Sequence, residues 1–314
     1  MNLHRELPKP ENNPVAIDHH SPVILLGSCF SEHIARELRK SGFQVLSNPF
    51  GVVFHPVPLA RFIRESIADI SDERIVQRED VFLSMDASSE VYSMSEEELG
   101  NKLRHIRGDF RSLLKTSKSL VITFGSAHGY RLITRPEEIV ANCHKLPQKS
   151  FTKELTQLEE LVSEWSETLT ILEAINPDLK VVFTVSPVRY SRDGWIENNR
   201  SKARLFELSE VLQQRFSVQY FPAYELVNDL LRDYRYFEKD GVHPNAFAVE
   251  EVWGLFSDWY FNGTTQQLVK EVIALRQMET HRLLFPESAA SAKFLQNLHE
   301  KRESFLSLHP YILW

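Results

Sequence analysis

The chain has 314 residues, 42% of them hydrophobic and 25% charged, with a formal net charge of −7 at pH 7. These proportions fit one large globular domain, or one domain with an extension. The negative balance opposes binding to nucleic acid or anionic lipid. The two cysteines, Cys29 and Cys143, exclude a disulfide framework and favour a reducing, cytoplasmic setting. The opening "MNLHRELPKPENNPVAIDHH" lacks the apolar core of a secretory signal, and no apolar run reaches the roughly 18 residues of a membrane span.

Short apolar runs without alternation mark strands covered on both faces, as in a parallel sheet. In chain order they are Val23 to Gly27, Phe43 to Ser47, Leu120 to Gly125, Lys180 to Ser186 and Val218 to Phe221. Helical periodicity fills the intervals. Ser31 to Ser41 turns Ile34 and Leu38 to one face, and Ser95 with Glu98 forms a capping box ahead of Leu99 and Leu103. Lys153 to Ile175 carries a stripe through Leu155, Leu158, Val162, Trp165, Leu169 and Leu172 that ends at Asn176-Pro177. Ser201 to Phe216 and Ala246 to Phe261 are the next two helices. The alternation predicts a three-layer α/β/α sandwich on a five-stranded, mainly parallel sheet. Residues 73–94 read as a small hairpin insertion within a domain spanning 1–262. Residues 263–314 read as a helical extension, with helices over Leu268 to Leu284 and Ser291 to Leu306 broken at Pro286.

The chemistry-bearing residues cluster at strand ends, where α/β proteins hold their sites. Ser28 follows the first strand, where its hydroxyl can project into the crevice and the amides opening the next helix can stabilise an anion; equally, it can be a helix N-cap. Asp240 and His243 stand three residues apart in "EKDGVHPNAF". That spacing lets the carboxylate orient one ring nitrogen while the other faces a nucleophile; it also suits an ordinary Asp-Gly turn. Arg189 follows the fourth strand and either clamps an anionic group or pairs with Asp193. Cys143-His144 with His243 matches no zinc-ligand spacing, so no metal and no cofactor is expected. No glycine-rich phosphate loop occurs.

Ser28 taken together with Asp240 and His243 resembles the SGNH hydrolase superfamily. The blocks "GSCF", "NPFGVVFHP", "TFGSAHGYR", "NCHKLP", "TVSPVRYSRDG", "ENNRSKARL" and "DGVHPN" resemble, in order, those of the GSCFA-domain family, from about Ser21 to Tyr260. The resemblance implies an SGNH/flavodoxin-like fold with Ser28 as nucleophile, His243 as general base and Asp240 as its orienter. It makes Cys29 a buried small apolar residue, since consecutive residues on the turn point in different directions. For the oxyanion hole it implies the amides of Ser28 and Gly51. The usual third donor is an Asn, but Gly125-Ser126-Ala127-His128 has Ala127 in its place. Asn142 is the candidate replacement, with Asn48 a weaker one; Asn142 can also cap local backbone. Asn48, His128, His144 and Arg189 are candidate substrate-binding residues.

The function expected is a serine-dependent esterase or O-acyltransferase acting on a small-molecule or carbohydrate ester. The alternative is a binding module on a degenerate hydrolase fold. No nucleic-acid or membrane partner is expected, and a homo-oligomer is left open.

Overall fold

The computed structural model describes residues 6–11, 13–70 and 74–314. Its centre is a parallel sheet of five strands: β1 (Val23–Gly27), β2 (Val45–Ser47), β6 (Ser119–Phe124), β10 (Lys180–Val185) and β11 (Val218–Tyr220). Their spatial order is β11-β10-β6-β1-β2, with every neighbouring pair parallel. β1 and β6 are buried along their whole length, as strands without alternation must be when helices cover both faces.

The helices follow from capping and stripe. α1 (Cys29–Lys40) is N-capped by Ser28 and buries Phe30, Ile34 and Leu38. α2 (Pro56–Ala68) is capped by the ring of His55, whose Nδ1 accepts from the Val57 amide. α3 (Glu96–Leu114) starts at the Ser95 cap. α4 (Leu158–Ile175) and α5 (Trp195–Arg215) lie between β6 and β11 in sequence, and α6 (Ala246–Tyr260) closes the sandwich. One apolar core, around Phe124, Trp165 and Phe183, fills one face of the sheet; another, around Phe30, Phe221 and Phe256, fills the other.

Three expectations shift. The 73–94 insertion begins at Glu73, outside the described residues; from Ile75 it is a three-stranded antiparallel sheet, β3 (Ile75–Arg78), β4 (Val81–Ser84) and β5 (Tyr92–Ser93), rather than a hairpin. The helix expected from Lys153 begins at Leu158. Phe151–Leu155 is instead β9, paired antiparallel to β7 (His128–Leu132), which also pairs β8 (Arg135–Ile139). Leu155 fits the helical stripe, but its pairing with His128 takes the segment into the sheet. The C-terminal helices run over Gly263–Glu279 (α7) and Ala289–Leu308 (α8). They share a small core around Val272, Leu298 and Phe305 and are pinned to the α1–β2 corner, where the Leu313 amide donates to the Gly42 carbonyl at 2.9 Å. Among the described residues no helix is long and apolar enough to cross a membrane.

Candidate active site

Because the central strands are parallel, their C-terminal ends share one edge. That edge carries Ser28 after β1, Gly125 after β6 and Ser186 after β10. A cleft of about 390 Å³ opens over it. Its walls come from the β1–α1 turn (Cys29), the loop after β2 (Phe54), the β6–β7 connection (Ser126, His128), the segment after β10 (Val188 to Asp193) and the loop before α6 (Val242, His243).

The His243 loop is built by its own backbone. Phe237 bridges Pro244, and the Arg189 amide donates to the Val242 carbonyl at 3.2 Å, which holds the loop against the segment after β10. Within it, His243 Nδ1 lies 2.7 Å from Asp240 Oδ2. A carboxylate can only accept, so Nδ1 carries the proton and Nε2 is left as an acceptor. The other carboxylate oxygen accepts from the Val242 and His243 amides at 2.9 and 3.1 Å. These backbone bonds, then the His243 ring, hold the Asp240 carboxyl down at about 2. Both side chains are half-exposed.

The β1–α1 turn is arranged differently from expectation. Ser28 is fully buried, its Oγ accepts from the Phe30 amide at 3.3 Å, and its own amide donates to the Thr123 carbonyl at 3.0 Å. The adjoining Cys29 is partly exposed and lines the cleft with His243. The expectation of Cys29 as a buried apolar residue is therefore corrected. The physical reason lies in the turn: the serine takes the cap, so the next side chain, the first of the helix, faces outward over the strand ends. Burial, the largest influence, pushes the Cys29 thiol above its ordinary value, against smaller downward pulls from its own amide, Lys202 and the Phe30 amide.

The other expected oxyanion donors are engaged elsewhere. The Gly51 amide donates to the Asn48 carbonyl at 2.7 Å. Asn142 Oδ1 accepts from the His144 amide at 2.8 Å, and the side chain lines a neighbouring, mostly apolar cavity of about 420 Å³ rather than the His243 cleft. Asn48 holds the turn from below: Oδ1 accepts from the Gly27 amide at 2.8 Å, and Nδ2 donates to Ser31 and Glu32. His144 is buried, with Nε2 2.7 Å from the Ser84 carbonyl and Nδ1 2.9 Å from Ser89 Oγ, so it ties loops together instead of meeting substrate. Arg189 does line the cleft, but its Nε donates to Asn228 Oδ1 at 2.9 Å; the carboxylate of Asp193 pairs with Lys153. His128 lines the cleft at 8% exposure, and neither ring nitrogen has a hydrogen-bond partner. A carboxylate oxygen of Glu197 lies 3.7 Å from Nε2.

Residues 22–256 match the GSCFA family. The chain belongs to that family. No curated protein matches it. Among solved structures it is similar to a carbohydrate esterase family 3 protein from Talaromyces cellulolyticus, at 10% identity and a TM-score of 0.37, over 80% of this chain and 99% of that one.

Sequence reading missed one residue of this GSCFA site. Lys202, on α5, is 2% exposed, and its Nζ donates to the carbonyls of Gly125 and Ser186, both at 2.7 Å. It clamps two of the strand ends that floor the cleft. Burial drives its pKa down to about 7. The signal was present: Asn198, Ser201, Lys202, Leu205, Leu208 and Leu212 form the buried stripe of α5, so a lysine stood where the helical period calls for an inward residue. Among the described residues no three His, Cys, Asp or Glu side chains converge as metal ligands.

Proposed function

We propose that this chain is an ester hydrolase or O-acyltransferase that forms an acyl intermediate on the β1–α1 turn. His243 is the general base and Asp240 holds it in the working tautomer. The substrate is a small-molecule or carbohydrate ester, placed against His128 in the cleft. The observation that carries this reading is the 2.7 Å Asp240–His243 bond at the rim of a cleft lined by the same turn. That is the base-and-orienter pair that nucleophilic catalysis requires. The turn offers two attacking groups, the Ser28 hydroxyl of the family resemblance and the Cys29 thiol. Hydrolysis follows if water resolves the intermediate, transfer if an acceptor alcohol does.

A binding module on the same fold is the second reading. It is favoured by the prior engagement of the Ser28 and Gly51 amides and by the orientation of Asn142. Turnover of p-nitrophenyl esters from acetate to octanoate separates the two. Catalysis predicts measurable hydrolysis that falls about 10²–10⁴-fold in His243→Ala, the range for loss of a general base. Equal rates for wild type and His243→Ala on every ester would favour the binding module.

A further inference from the structure

We infer that the attacking atom is Cys29 Sγ, and that Ser28 is the cap that aims it. This deepens the acyl-transfer reading and rests on it. Three observations carry the assignment.

The first is access. A nucleophile must reach both the base and the substrate carbonyl. Ser28 has no exposed surface, whereas Cys29 lines the cleft together with His243. The second is prior engagement. Ser28 Oγ accepts the Phe30 amide and the Ser28 carbonyl accepts from Ser31, so moving the hydroxyl toward substrate would uncap α1. An N-cap of this kind contributes to stability by holding an otherwise orphaned amide. The third concerns the oxyanion. The Ser28 amide is bound to Thr123, but the Cys29 amide opens the first turn of α1, where no intrahelical acceptor exists. An oxyanion formed beside Sγ meets that amide and the positive end of the helix. His128 is an independent sign that the cleft takes a polar ligand, since this nine-tenths-buried side chain has no hydrogen-bond partner on Nδ1 and only a Glu197 oxygen, 3.7 Å away, beside Nε2.

The chemistry balances with water as the only co-reactant. His243 Nε2 takes the thiol proton, and Sγ forms a bond to the ester carbonyl carbon. The tetrahedral oxyanion collapses, and the alkoxide leaves with the proton from His243. Water then gives a proton to His243 and attacks the thioester. Collapse releases the carboxylic acid, and the proton returns to Sγ.

The test uses the full chain and two readouts. In the first, the protein is acylated with p-nitrophenyl acetate, digested and mapped by mass spectrometry. The acetyl group is expected on Cys29. Turnover should fall at least 10³-fold in Cys29→Ala and stay within about threefold of wild type in Cys143→Ala, whose thiol lies outside the His243 cleft. Acetyl on Ser28, or turnover retained in Cys29→Ala, overturns the assignment. The second readout needs no ester. Iodoacetamide alkylation of Cys29 is compared in wild type and His243→Ala, with Cys143 as the internal reference, its thiol pushed up to about 11 by burial. A drop of tenfold or more at Cys29 alone supports the Cys29–His243 pairing even if no ester is turned over, in which case only the ester reading fails. Equal alkylation rates overturn the pairing itself.

Discussion

Two sets of polar side chains meet at the cleft and are held in opposite ways. Asp240 and His243 stand on an irregular loop, half in solvent, joined by one short bond. Ser28, His55 and Lys202 lie beneath, buried, their polar atoms committed to helix caps and strand-end carbonyls. In the proposed acyl-transfer reading, the exposed pair passes a proton to substrate or water without disturbing any packing. The buried set cannot change partners without opening a helix cap or a strand end. The contrast separates chemistry from shape. Alterations of the loop should act on rate alone, and alterations of the floor should act first on stability.

Lys202 gives the largest expected effect on that second side. Burial holds its folded pKa near 7, against 10.5 for the free side chain. Below pH 7 both folded and unfolded chains carry the proton, so the full cost of the buried charge is present. Between pH 7 and 10.5 the unfolded chain binds the proton and the folded one does not, so stability rises with pH. Each unit is worth about 1.4 kcal/mol. From pH 7 to 9 the wild type should therefore gain on the order of 2–3 kcal/mol relative to Lys202→Met in urea unfolding. Parallel stability curves for the two proteins would show that Lys202 keeps its charge in the fold.

Gly51 tests the floor by shape alone. Its φ is +71°, and a Cβ there would lie 1.9 Å from Ser88 Oγ. Both the left-handed backbone and the clash oppose a side chain. Gly51→Ala should cost about 2–3 kcal/mol, read as a lower melting temperature. An unchanged melting temperature would mean that the loop after β2 is free to move, and the wall of the cleft with it.

Much of this was legible in the sequence, for physical reasons. A strand buried on both faces must be apolar throughout, so β1, β6 and β10 stood out, with the half-buried edge strands β2 and β11 as shorter runs beside them, and their parallel order placed Ser28, Gly125 and Ser186 on one edge. The three-residue Asp240–His243 spacing forms a local turn, and local geometry is readable from sequence. Three features were not legible. β9 carries a residue that also fits a helical stripe, and only its long-range pairing with β7 decides its state. The outward residue of the β1–α1 turn depends on which side chain takes the cap, and both Ser28 and Cys29 sit where a nucleophile could. The partners of Asn142 and Gly51 are fixed by loop closure, which residue type does not reveal.

Asn142 gives the smallest effect and the sharpest line between the two sets. A side-chain oxyanion donor would make Asn142→Ala lose about 10²-fold or more in kcat. The structure instead gives Asn142 to its own loop, with Oδ1 on the His144 amide, and turns the side chain to the neighbouring cavity. That His144 amide belongs to a stretch with positive φ at both His144 and Lys145, a backbone shape that needs local support. Asn142→Ala should therefore leave kcat on any accepted ester within about twofold and lower stability by about 0.5–1.5 kcal/mol, the net value of one hydrogen bond. A fall in kcat at unchanged KM would return Asn142 to the transition state. It would also require this loop to swing from the apolar cavity to the His243 cleft on substrate binding, since the resting geometry keeps the two apart.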